Sequence, residues 1–249
     1  MNGVIIVDRG SKSYEVKKEL SEICFKIKNE TKCLFSKYCF LEVTEPQIDE
    51  VLNDCFKLHM DKLIIIPYFL YSGKKVKLAI NRIMKFYNKT TTKIIISKPM
   101  LMHTLIIKAI EHRISKAMQK NNITINKQNI DVLIICHGSK ESNSHFSIMY
   151  VIDELRPKYR NVKHCFLEIE NPDINNGILY CANKNPDVLV IVLYFLHSGI
   201  HVKYDVHKEL DPAIKKYKLK KVIITDHIGK DKNFSDLVIK RYREVENAN

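Results

Sequence analysis

A chain of 249 residues, 45% of them hydrophobic, holds enough apolar material for one large core or two ordinary ones, which excludes a disordered tail. Its net charge of +13 suits polyanionic partners, but the charges are scattered rather than run together, so charge alone selects no ligand. The longest apolar run, Val188 to Leu196, is shorter than the ~20 residues a bilayer span needs, no basic leader opens the chain, and its seven cysteines form no CxxC pair; a cytoplasmic protein with reduced core thiols and no membrane partner is expected.

In chain order, short β-branched runs predict strands near 3–8, 35–41, 62–67 and 92–97, and apolar residues at helical spacing predict helices near 14–29, 46–59, 74–87 and 103–120. The polar stretch from Lys120 to Asn129 reads as a linker. Strands near 131–136, 161–167, 187–193 and 220–225 follow, with helices between and after them. This alternation predicts the α/β class, each half a parallel sheet flanked by helices.

The halves are copies of one another. Residues 38–77 align without a gap on 164–203, and 17 of the 40 pairs are identical. CFLEV (39–43) faces CFLEI (165–169), YFLYSGKKVK (68–77) faces YFLHSGIHVK (194–203), and upstream VIIVDRGSK (4–12) faces VLIICHGSK (132–140). Four of the seven glycines fall in matched pairs, Gly10 with Gly138 and Gly73 with Gly199, where strands give way to loops and the backbone must turn tightly or approach something closely. Domains are expected at 1–122 and 130–249.

Open parallel sheets take ligands at the carboxyl ends of their strands. In the second half those places hold His137, Glu168, His197 and His201. Imidazoles with a carboxylate suit a borderline cation such as Fe2+, Co2+ or Ni2+, and neutral imidazole removes protons near pH 7. His137 and His201, bordered by the scarce glycines, are the stronger pair. Their counterparts in the first half are Arg9 and Lys75, which cannot ligate a metal at neutral pH, while the twin of Glu168, Glu42, survives there. That survival favours a structural role for both carboxylates.

HGSK (137–140), FLEIENP (166–172) and YFLHSGIHVKYD (194–205), echoed as VDRGSK, FLEVTEP and PYFLYSGKKVK in the first half, resemble the sirohydrochlorin chelatases, the class II or CbiX-like chelatases, in their long form with two tandem domains. The resemblance implies two chelatase-like (flavodoxin-like) domains related by a pseudo-twofold, with a cleft between them. It implies insertion of Co2+, Fe2+ or Ni2+ into sirohydrochlorin without ATP, the metal being a substrate and no organic cofactor being needed, as in siroheme or cobalamin synthesis. It puts the catalytic and metal-handling pair at His137 and His201, with Glu168 as a further metal contact, and substrate contacts at Arg9, Lys75, Ser139, Ser198, Gly199 and Lys203. A carboxylate-rich tetrapyrrole as partner would give the positive charge a purpose; a monomer that binds no nucleic acid is expected. One departure stands out: long members are expected to keep the histidine pair in the N-terminal half, whereas here it lies in the C-terminal half. Because half of the ancestral site is lost, the alternative is a non-catalytic metal- or tetrapyrrole-binding protein of the same fold.

Overall fold

The computed structural model of the chain describes residues 2–141, 144–197, 199 and 204–247. Its first repeat runs β1 (Asn2–Asp8), α1 (Tyr14–Thr31), β2 (Phe35–Phe40), α2 (Ile48–Phe56), β3 (Lys62–Pro67), α3 (Lys74–Met84), β4 (Lys93–Ile96) and α4 (Thr104–Lys120). The second runs β5 (Ile130–Cys136), α5 (Ser144–Leu155), β6 (Asn161–Phe166), α6 (Ile174–Asn183), β7 (Val188–Leu193), α7 (Val206–Tyr217), β8 (Val222–Ile224) and α8 (Lys232–Arg243).

Two parallel four-stranded sheets result, ordered β2-β1-β3-β4 and β6-β5-β7-β8. Helices flank both faces of such a sheet, so its central strands are buried throughout and read as unbroken apolar runs. In β5 and β7 every residue is buried. In each sheet the chain reverses its direction of winding between the first and third strands, β1 and β3 or β5 and β7, and the loops leaving those strands open a crevice there. That crevice is where the sequence placed its candidate residues.

Packing divides the chain otherwise than the repeat does. One compact unit is built from the chain up to Leu101 together with the chain from Ser235 onward, the other from Met102–Phe234. The expected boundary between 122 and 130 marks the repeat; α4 packs in the second unit and most of α8 in the first. An amphipathic pattern shows that a helix has an apolar face but not which sheet receives it. In the second unit Arg113 of α4 is buried and lies 3.3 Å from Asp231, whose side chain is fully buried; His112 Nδ1 sits 2.6 Å from the same carboxylate. The other Asp231 oxygen accepts from the Asn233 amide at 3.0 Å. In the first unit Arg241 of α8 donates to the Leu101 carbonyl at 2.9 Å, and Lys26 of α1 donates to Ser235 Oγ at 3.0 Å.

The matched glycines have a local cause. Gly10 (φ +109°) and Gly138 (φ +96°) lie in the left-handed region, and a Cβ on either would stand 2.0 Å from a carbonyl oxygen, that of Glu42 or Glu168. Gly10→Ala or Gly138→Ala is therefore expected to cost at least ~2 kcal/mol, from backbone strain plus the clash. Chemical denaturation of each variant checks this, and a loss below ~0.5 kcal/mol would contradict the packing.

All seven cysteines are free and buried. Burial pushes the Cys24, Cys55 and Cys181 thiols up to about 12, so the nucleophilic thiolate is scarce at neutral pH and these residues act as small apolar side chains. Among the described residues no helix is long and apolar enough to cross a membrane.

Candidate functional site

In each repeat two backbone bonds bring the end of the first strand and its loop against the turn after the second, and a third ties the end of the third strand to the first. In the second repeat Leu167 N–H donates to the Cys136 carbonyl (2.8 Å), Glu168 N–H donates to the His137 carbonyl (3.1 Å), and Tyr194 N–H after the third strand donates to Ile135 (3.0 Å). The first repeat repeats the pattern with Leu41 to Asp8, Glu42 to Arg9, and Tyr68 to Val7. Gly138 and Gly10 let the loops press onto the carbonyls of these same glutamates. The turns are alike too. Glu170 N–H donates to Glu168 O and Thr44 N–H to Glu42 O, both at 2.9 Å, across Ile169 and Val43, each at φ +75°. A γ-turn of this hand is rare, and for a β-branched residue positive φ is strained. Both residues are also half exposed to solvent.

This frame aims the side chains. In the second repeat His137 Nε2 lies 3.1 Å from Glu168 Oε1. In the first, Glu42 takes Arg9 Nε at 3.1 Å on one oxygen and Lys75 Nζ at 2.7 Å on the other. The Lys75 ammonium foremost, opposed by partial burial and assisted by Arg9, holds the Glu42 carboxyl below the usual carboxylate range. What this pairing adds to stability is thus present above the ordinary carboxylate pKa and is lost as pH falls through the lowered one. The glutamate serves as backbone dock in both repeats and pairs with whatever occupies the position after the first strand, imidazole or guanidinium.

Of the sequence-predicted residues, the structure brings together His137 with Glu168, and Arg9 and Lys75 on Glu42. Ser139 lies in the His137 loop, and Gly199 is half-buried in the segment after β7. Ser198, His201 and Lys203 lie outside the described residues, and with them the expected closeness of His137 and His201. Among the described residues no cluster of three or more His, Cys, Asp or Glu side chains is arranged to hold a metal ion.

Sequence reasoning missed Glu170. Its Oε1 accepts from the Ser139 backbone N–H at 2.5 Å, and its Oε2 pairs with His145 Nε2 of α5. The His145 and His164 rings approach Phe166 edge-on, with centroids 5.9 and 5.2 Å away. Burial first, with Lys163 and His145 adding to it, lowers the His164 pKa, so this ring stays neutral at pH 7. A signal was available: in the repeat alignment Glu170 stands against Thr44 and His164 against Tyr38, and the register of Gly10 on Gly138 sets His145 against Lys17. Titratable groups confined to the repeat with the histidines were the clue.

With this geometry in view, comparison with known proteins places the chain. The CbiX family model matches twice, over residues 3–117 and 131–245. The chain belongs to the CbiX family. A sirohydrochlorin cobaltochelatase of Sulfolobus acidocaldarius is 28% identical over 109 residues, 44% of this chain and 86% of that one. A sirohydrochlorin cobaltochelatase of Priestia megaterium is 22% identical over 188 residues, 73% of this chain but only 58% of its own length. Among solved structures, SirB from Bacillus subtilis with Fe3+ superposes with a TM-score of 0.83 at 20% identity, covering 98% of this chain and 94% of that one. At such identity the likeness establishes the fold: two tandem CbiX-type domains, each with its parallel sheet and flanking helices.

Proposed function

We propose that this CbiX-family chain inserts a divalent cation, Co2+, Fe2+ or Ni2+, into sirohydrochlorin, and that the second repeat carries the chemistry. The observation that supports this reading is the His137–Glu168 pair at the winding reversal of the second sheet. Adjacent ligands on an octahedral ion, each at about 2.1 Å, stand about 3.0 Å apart. The 3.1 Å separation of His137 Nε2 and Glu168 Oε1 fits one cation between them. His201, which follows β7 in the sequence, completes the donor set in this reading.

Insertion then divides between these groups. One imidazole holds the cation while it sheds water, and the other, neutral, accepts the two pyrrole protons one at a time, passing each to solvent before it takes the next. Glu168, 3.1 Å from His137 Nε2, orients that ring while no cation is bound and would serve as a second donor once one arrives. In this reading Ser139, Ser198, Gly199 and Lys203 contact the substrate.

Arg9 and Lys75 cannot take the cation, and in this reading they contribute affinity for the carboxylates of the macrocycle. Their side chains are 54% and 41% exposed, and Glu42 is 35% exposed. Ion pairs this exposed stabilise a fold by only about 0–1 kcal/mol. Exchanging Glu42 for a substrate carboxylate therefore costs little. Arg9→Ala and Lys75→Ala are expected to raise KM more than they lower kcat, the mark of lost uniform binding. Unchanged KM with collapsed turnover would move the chemistry to the first repeat.

The deciding experiment is anaerobic incubation of the protein with sirohydrochlorin and each of Co2+, Fe2+ and Ni2+, followed by absorbance. Conversion with at least one metal, faster than without protein, is expected. Binding of metal or tetrapyrrole without conversion would establish the non-catalytic alternative, to which the loss of both imidazoles from the first repeat lends support.

A further inference from the structure

We propose that Glu170, backed by His145, is a positioning residue that braces the loop carrying His137, a brace the first repeat lacks. The inference rests on the reading of His137 given above, but its observations are separate. The γ-turn after β6 presents two carboxylates to a single loop. Glu168 meets the His137 ring, and two residues on, Glu170 meets the Ser139 amide. The loop is thereby gripped at its ring and at its backbone.

Glu170 is buried enough to need partners: its side chain is 13% exposed, whereas that of Glu168 is 52% exposed. A carboxylate drawn that far from water is costly unless it is hydrogen-bonded and paired. Ser139 N–H and His145 meet that need, joining turn, loop and α5 through one side chain. Hydrogen bonds to an ionised acceptor are roughly twice as strong as neutral ones. Ser139 is held further by its own hydroxyl, which accepts from Glu141 N–H at 3.1 Å.

The first repeat supplies the contrast. It shares the glycine, the γ-turn and the docking glutamate, yet Thr44 and Lys17 stand where Glu170 and His145 are, and Thr44 has no carboxylate to offer the loop. Its turn is braced from α3 instead, where Arg82 donates to the Leu41 carbonyl at 3.0 Å and forks onto Asp49 at 2.8 and 2.9 Å. The first repeat's loop is pinned to its own strand, Gly10 N–H donating to Asp8 Oδ1 at 2.8 Å, and an Arg9 that only pairs with carboxylates tolerates the absence of a second carboxylate grip from the turn. An imidazole that must meet a cation and a pyrrole proton does not, since displacement of a reacting group by about 1 Å can cost 10²-fold.

The test compares wild type, Glu170→Thr and Glu170→Gln by metal insertion and by amide hydrogen exchange over residues 137–141. Glu170→Thr, the first repeat's residue, is expected to lower kcat about tenfold with KM within about twofold, and to speed exchange in that loop. Glu170→Gln keeps an oxygen that can accept from Ser139 and should recover kcat to within about threefold of wild type. A folded Glu170→Thr protein with wild-type kcat and unchanged loop exchange would overturn the proposal, as would Glu170→Gln no better than Glu170→Thr in both measurements. If wild type inserts no metal, exchange alone decides: faster loop exchange in Glu170→Thr, restored by Gln, upholds the brace while the proposed function falls.

Discussion

His137→Ala is expected to lower the turnover of metal insertion on the order of 10²-fold or more, the range for removing a positioned acid–base group, and His201→Ala the same. His197→Ala and His207→Ala should cost much less. Glu168→Gln should fall between, about tenfold, because the amide still orients the ring but no longer offers it a negative charge. Circular dichroism and a melting curve must accompany each assay. His137 immediately follows β5, whose seven residues are all buried, so loss of activity could otherwise reflect loss of fold. A folded His137→Ala protein that inserts metal at near-normal rate would remove the site from the second repeat.

The second large effect concerns stability. Asp231→Ala should destabilise the second unit by about 3–5 kcal/mol, the cost of breaking a buried ion pair from one side. The change removes the buried one of the two carboxylates facing Arg113, whose side chain is only 4% exposed, and leaves that charge with the exposed Asp226 at 3.6 Å. It also frees His112 and the Asn233 amide. A drop in melting temperature of about 10 °C or more is the expected readout. A change within about 2 °C would mean that Asp226 and water together compensate the guanidinium.

Much of this fold was legible because its physics is local. Strand positions were read to within a residue or two in each case, and for the central β1, β3, β5 and β7 the reason is that strands buried on both faces have little choice of composition. Val188–Leu193, predicted at 187–193, is the plainest case. The destination of α4 was not legible: Ile106, Ile110 and Ile114 declare an apolar stripe, and only tertiary packing says which sheet meets it. At the site, His137 and Glu168 could be placed from strand ends alone. Glu170 could not, because its reach to Ser139 depends on a positive φ at Ile169 that no β-branched residue advertises. Thr44 against Glu170 and Lys17 against His145 were visible differences, but without the turn they had no geometry to attach to.

The exchange of terminal helices also bears on the order in which the protein is made. Domains generally fold as they emerge from the ribosome, N-terminal first. Here the unit holding β1 to β4 takes its remaining piece from Ser235 onward, whereas the other unit is built entirely from Met102–Phe234. The strands synthesised first thus belong to the unit finished last. Until Ser235 and the residues after it arrive, the nascent chain carries Asn2, Lys26 and the Leu101 carbonyl without Tyr242, Ser235 and Arg241, their partners in the folded structure. A chain that stops at Phe234 has the second unit's whole complement and leaves the first unit open.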